Sequence, residues 1–197
     1  MNLYENCRLC PRNCSIDRTG GKIGFCGESS TIKAALASVH NWEEPPISGT
    51  KGSGTIFFTG CNLKCVFCQN YSISSEHSGK EISVERLSEI MLEQQARDVH
   101  NINLVTAVHF VPSVIKAVEK ARQNGLTIPI MYNSSGYEKA DTIKMLEGTV
   151  DIYLPDIKYF SSKLSAKYSS APDYFEYASA AVKEMHRQCG NVIFAEN

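Results

Sequence analysis

Thr55-Ile56-Phe57-Phe58-Thr59 runs directly into Gly60-Cys61-Asn62-Leu63-Lys64-Cys65-Val66-Phe67-Cys68. The first five residues are uncharged and largely apolar, as in strands buried on both faces of a parallel sheet. The cysteines that follow are spaced C-x3-C-x2-C on one tight loop. Three thiolates so placed can hold three corners of a cubane 4Fe-4S cluster. Four irons need four ligands, so one iron stays open to chelate a small molecule and pass it an electron. Cys61, Cys65 and Cys68 are the expected metal ligands and reactive centre, with the rest of the chain as their holder.

Upstream, Cys7, Cys10, Cys14 and Cys26 spell C-x2-C-x3-C-x11-C among Pro11, Gly20, Gly21, Gly24 and Gly27. Such glycines let a short loop wrap closely around a metal. Four thiolates with a C-x2-C knuckle suit a structural zinc site or a second iron–sulfur cluster. The segment is short and has no core of its own, which favours zinc. The expected division is a cysteine-rich metal-binding segment at 1–30 and an α/β body at 31–197.

The chain has 197 residues, 43% hydrophobic and 21% charged, which suits one domain with a real core. Its net charge of −1 and lack of a basic run leave no electrostatic footprint for nucleic acid. The N-terminus lacks an apolar signal core, and no apolar stretch approaches membrane-spanning length. A cytoplasmic location is expected. There, eight cysteines argue for metal or redox chemistry rather than a disulfide framework.

Downstream, Thr31–Trp42 reads as a strand ended by Pro45-Pro46. Ser83 caps a helix that runs to Asp98. Strands follow at 101–106, 127–132 and 150–154, with helices at 113–124, 138–147 and 174–188. A further strand begins at 192–195. This alternation predicts βαβ units and a parallel sheet. It amounts to about four and a half βα units, fewer than a closed eight-fold barrel requires, so an open or partial barrel is expected.

In parallel α/β folds, chemistry gathers at the C-terminal ends of strands. The second strand delivers Thr106-Ala107-Val108-His109, the third Asn133-Ser134-Ser135-Gly136, and the fourth Asp156-Ile157-Lys158. Asn133 and Ser134 suit a small polar ligand. Asp156 and Lys158 are two apart and should point together along an extended chain. A carboxylate can bind a ribose diol, and an ammonium can hold a carboxylate. His109 follows an apolar strand without ligand spacing and reads as structural. Cys189 reads as a buried apolar thiol.

The C-x3-C-x-aromatic-C spacing, with Phe67 between Cys65 and Cys68, resembles the signature of radical S-adenosylmethionine (SAM) enzymes. The runs Glu43–Gly49, Gly54–Tyr71, Tyr132–Tyr137 and Asp151–Tyr159 resemble one subgroup, the uncharacterised relatives of pyruvate formate-lyase activating enzyme. The resemblance implies a partial (β/α)6 barrel with a 4Fe-4S cluster on Cys61, Cys65 and Cys68. SAM would chelate the fourth iron through its methionine amine and carboxylate. One electron, from a donor such as flavodoxin or ferredoxin, would cleave SAM to methionine and a 5′-deoxyadenosyl radical that abstracts hydrogen from the substrate. The substrate implied is a glycyl-radical protein such as pyruvate formate-lyase. Another protein, a small metabolite or a non-catalytic iron–sulfur role are the alternatives.

By the same resemblance, Phe67 lies by the adenine, and Asp156 and Lys158 match the Asp-x-Lys pair that serves cofactor and substrate binding in activases. Thr106, Asn133 and Ser134 join them around SAM from neighbouring strand ends. Thr106-Ala107-Val108-His109 stands where many radical enzymes carry a Gly-Gly-Glu-Pro-like segment. Relatives continue through further βα units, so a chain truncated after about four such units is expected.

Overall fold

The computed structural model describes residues 2–191, so the strand expected at 192–195 lies outside the described residues. Residues 2–31 form turns and loops. The strands are β1 (Ile32–His40), β2 (Ser53–Phe58), β3 (Lys80–Ile82), β4 (Ile102–Val105), β5 (Ile130–Ser134) and β6 (Ile152–Pro155). The helices are α1 (Pro45–Ser48), α2 (Tyr71–Ser74), α3 (Val84–Gln95), α4 (Val111–Gln123), α5 (Ala140–Lys144), α6 (Ser162–Ser169) and α7 (Tyr174–Cys189).

The sheet order is β3-β1-β2-β4-β5-β6. From β2 to β6 all pairings are parallel, as the alternation predicts. The expectation of a parallel sheet throughout is corrected at the other end. There β1 runs antiparallel to β2 and β3 antiparallel to β1, making the sheet mixed. The physical reason lies between β1 and β2. Pro45 and Pro46 open a single helical turn, not a crossover helix, so the chain doubles back beside itself.

Strand parity divides the sheet's two faces. Ile56, Phe58, Ile102, Leu104, Ile130 and Tyr132 face a core closed by α3, α4, α5 and α7. That side works as expected. The Ser83 hydroxyl caps α3 by accepting the Arg86 amide at 3.1 Å, and Leu87, Ile90 and Met91 turn inward. On the other face the register aligns Thr55 with Asn103 and Met131, and, one layer higher, Phe57 with Val105 and Asn133. This second face looks onto an open cavity.

The N-terminal segment is fastened to the body by Arg18, which is fully buried. Its guanidinium donates to the backbone oxygens of Glu28 at 3.1 Å, His109 at 2.7 Å and Ser29, and lies 3.5 Å from Cys7 Sγ. Tyr4 Oη and Ser113 Oγ meet at 2.9 Å, and Thr142 Oγ1 donates to the Leu9 carbonyl at 2.7 Å. A segment without helix or strand is thus held by side chains filling its backbone acceptors.

Candidate metal and cofactor site

The loop after β2 begins with Gly60, at φ +76°. A Cβ there would lie 2.6 Å from the Cys26 carbonyl oxygen, so both conformation and space demand glycine. The Cys61 amide donates to that same carbonyl at 3.3 Å. The two cysteine groups are therefore joined backbone to backbone.

Each thiol of the loop faces a donor. Cys61 Sγ accepts from the Leu63 amide at 3.4 Å, Cys68 Sγ from Ser74 Oγ at 3.3 Å and Cys65 Sγ from Ser169 Oγ at 3.0 Å. Ser169 Oγ in turn meets Tyr159 Oη at 2.7 Å, extending the chain of hydroxyls behind Cys65. Burial pushes the Cys61 thiol up, against the Lys64 and Leu63 amides. Donors of this kind favour the thiolate that a metal centre requires.

Among the described residues, no three His, Cys, Asp or Glu side chains close into a single-ion coordination group. A cubane distributes its thiolates over separate irons and asks for a wider set. Three hydrogen-bonded thiols on one loop, opening onto an accessible cavity, fit that donor requirement.

The cavity has a volume of about 490 Å³ and is lined by Cys61, Cys65, Cys68, Phe67, Thr106, Asn133, Asp156 and Lys158, among others. That is room for a nucleoside-sized ligand. Phe67 stands at the rim, 56% exposed, with its ring edge-on to Tyr159. Thr106 holds φ +60°, unusual for a β-branched residue. Its amide donates to the Asn133 carbonyl at 3.0 Å, which fixes this turn where β4 ends. Strain of that kind collects at functional sites. Lys158 Nζ donates to Asp156 Oδ2, so the two share one side of the chain.

Ser134 is placed elsewhere. Its parity is opposite to Asn133, and its Oγ donates to the buried carboxyl of Glu138 and accepts the Gly136 amide at 2.9 Å. Glu138 also accepts from Tyr132 Oη at 3.0 Å. Burial raises Glu138 to about 7, while Ser134 and Tyr132 oppose the rise. A carboxyl raised on folding stabilises the native state fully below its unfolded value near 4.5, and that contribution is lost as pH rises through 7. We therefore expect wild type to lose stability relative to Glu138→Gln between pH 5 and 8, by up to about 3 kcal/mol. Urea denaturation of both proteins across that range measures the difference.

His109 is structural. Its ring is buried, and Nε2 lies 2.7 Å from the Thr59 carbonyl, so Nε2 carries the proton. Burial, followed by Arg18, depresses it to about 3 and keeps it neutral. It pins the residue before Gly60. Cys189, expected to be buried, is exposed at the end of α7.

The N-terminal cysteines are near enough to influence one another, though among the described residues no three of them close on a single ion. Cys7, Cys10 and Cys26 are buried and Cys14 is partly so. Burial pushes the Cys10 thiol up to about 12, with the Cys26, Cys14 and Cys7 thiols adding to the shift. Glu43 was not among the expected site residues, yet it lines the cavity and accepts from Asn103 Nδ2 at 2.7 Å. It sits where the sequence marks only the end of a strand.

A C-x3-C-x2-C loop on the first parallel strand of an open α/β sheet, beside a nucleoside-sized cavity, defines an iron–sulfur enzyme of the radical SAM type. Residues 55–194 match the Radical SAM superfamily, and the chain belongs to it. Membership implies a 4Fe-4S cluster, SAM and an electron donor. Two proteins of Methanocaldococcus jannaschii are similar over most of this chain. Uncharacterized protein MJ0674 is 31% identical over 89% of this chain and 52% of its own length. Uncharacterized protein MJ0808 is 27% identical over 77% of this chain and 49% of its own length. The chain thus spans about half the length of these relatives. No helix among the described residues is long and apolar enough to cross a membrane.

Proposed function

We propose that Cys61, Cys65 and Cys68 hold the cluster, that the neighbouring strand ends hold SAM, and that the substrate is a glycyl-radical protein. The observation that carries this reading is the Asp156/Lys158 pair, which shares one cavity with the three thiols. When bound, reduced cluster and SAM supply C–S cleavage and a hydrogen-abstracting 5′-deoxyadenosyl radical.

The chain's own residues bind and orient. Asp156 and Lys158 are 56% and 29% exposed at their side chains, so their mutual ion pair contributes little and is readily re-partnered. Asp156 would take the ribose diol and Lys158 a carboxylate. Phe67 would cover the adenine, and Thr106 and Asn133 offer polar groups between. A low-potential donor such as flavodoxin or ferredoxin would supply the electron. Residues 1–30 would be the second metal segment, with Cys7, Cys10, Cys14 and Cys26 taking another cluster, or zinc once they draw closer than the described residues place them. Eight unpaired cysteines suit the reducing cytoplasm.

The test is anaerobic reconstitution with iron, sulfide, SAM and dithionite, followed by assay of 5′-deoxyadenosine. A glycyl-radical enzyme encoded by the same genome is then added and examined by electron paramagnetic resonance. A normal yield of deoxyadenosine without a glycyl radical moves the substrate to another protein or a small metabolite. No deoxyadenosine from a fully loaded protein leaves a non-catalytic iron–sulfur role. Asp156→Asn and Lys158→Met are expected to raise the KM for SAM roughly 10- to 100-fold, the value of a hydrogen bond to a charged group. Their iron content should match wild type.

A further inference from the structure

We propose that Glu43 is the substrate-recognising residue of the cavity, and that it takes a protonated amine or guanidinium. This rests on the reading that hydrogen abstraction takes place in this cavity.

Glu43 lies between β1 and β2, where the chain crosses the sheet face opposite the helices. The crossing is pinned at two points. The Glu43 amide donates to Ser48 Oγ at 2.9 Å, and Asn101 Nδ2 donates to the Ile47 carbonyl at 2.9 Å. The carboxylate is fixed as well. Its Oε2 accepts from Asn103 Nδ2 at 2.7 Å and, at 3.5 Å, from Asn133 Nδ2. Asn103 is fully buried, and its own Oδ1 has no partner. Its amide is thus committed to Glu43.

Depth follows from the sheet register. Asn103 is level with Thr55, and Asn133 with Phe57, whereas Cys61 begins the loop beyond the strand. At about 3.3 Å per residue, the carboxylate lies on the order of 10 Å below Thr59, the strand end that carries the cysteine loop. A cofactor bound at the cysteine end would stand between them. Glu43 therefore faces the substrate side of the cavity, not the iron.

Charge decides the class of ligand. Two neutral amides orient a carboxylate without neutralising it. Among the described residues Glu43 makes no ion pair, and the cavity's Lys158 is held by Asp156. Glu43 Oε1 accepts from no group among the described residues. An anion fixed in place with one open oxygen selects a cationic nitrogen donor and repels a carboxylate.

The test uses the reconstituted full chain with SAM present. Saturation-transfer NMR measures binding of n-propylammonium and n-propylguanidinium, with propionate and propanol as comparators. Acetyl-Gly-Lys-Gly-amide serves as a second source of the same ammonium, carried on a peptide. Wild type should bind at least one cation and reject propionate. Glu43→Gln keeps the shape and the asparagine contacts but removes the charge, and should weaken cation binding at least tenfold. Glu43→Asp should recover part of the loss. Equal cation binding by wild type and Glu43→Gln, no cation binding by wild type, or equally strong propionate binding would overturn the proposal. Iron content and deoxyadenosine yield of the same wild-type preparation report separately on the reaction itself.

Discussion

Cys61→Ala is expected to lose about four irons per chain and to form no detectable 5′-deoxyadenosine. Two thiols on the loop would not retain a cubane in an open cavity, and without a cluster no electron would reach SAM. Folding should survive, because the loop is tied at other points. Asn62 Nδ2 donates to the Tyr137 carbonyl at 2.5 Å, the Val66 amide to the Tyr168 carbonyl at 3.0 Å, and His109 holds Thr59. Iron and sulfide analysis on anaerobic protein, with circular dichroism as the control for folding, measures the result. Unchanged iron would remove the central assignment.

Arg18→Met is expected to give the largest loss of stability, about 3–5 kcal/mol by urea denaturation. The methionine fills much of the space but donates nothing. The carbonyls of Glu28, Ser29 and His109 would stay buried after losing their donor. No carboxylate pairs with this guanidinium among the described residues. Its Nη1 lies 3.5 Å from the Cys7 sulfur. The guanidinium packs against a ligand of the metal proposed for the N-terminal cysteines, so the variant should also release that metal while loop iron persists. Zinc and iron measured on one sample separate the two. A change below about 1 kcal/mol would show that water replaces the guanidinium freely.

Much of the body was legible because its signals are local. The apolar run at 55–59, the Ser83 cap and the helical stripes of α3 and α4 each depend on neighbours in sequence. The direction of β1 was not legible, since pairing is decided by the length and course of the chain from 41 to 52. Helix α6 escaped for another reason. Ser162-Lys163-Leu164-Ser165-Ala166-Lys167-Tyr168-Ser169 has little apolar periodicity, and its identity rests on the Ser161 cap and on packing. At the site, the cysteine spacing carried its own meaning. Ser134 lies on the wrong side of its strand, a matter of register that residue type does not reveal. Glu43 was hidden because its partners, Asn103 and Asn133, are remote in sequence and meet it only in the folded chain.

The bond from the Cys61 amide to the Cys26 carbonyl bears on biogenesis. The ribosome releases the N-terminal knuckle before the loop, so the acceptor at Cys26 is already synthesised when Cys61 emerges. The first group of cysteines thus offers the second a ready backbone acceptor as the chain emerges. A lesion at the knuckle would cost the loop one tether, while Asn62, Val66 and His109 would keep it seated and its iron in place.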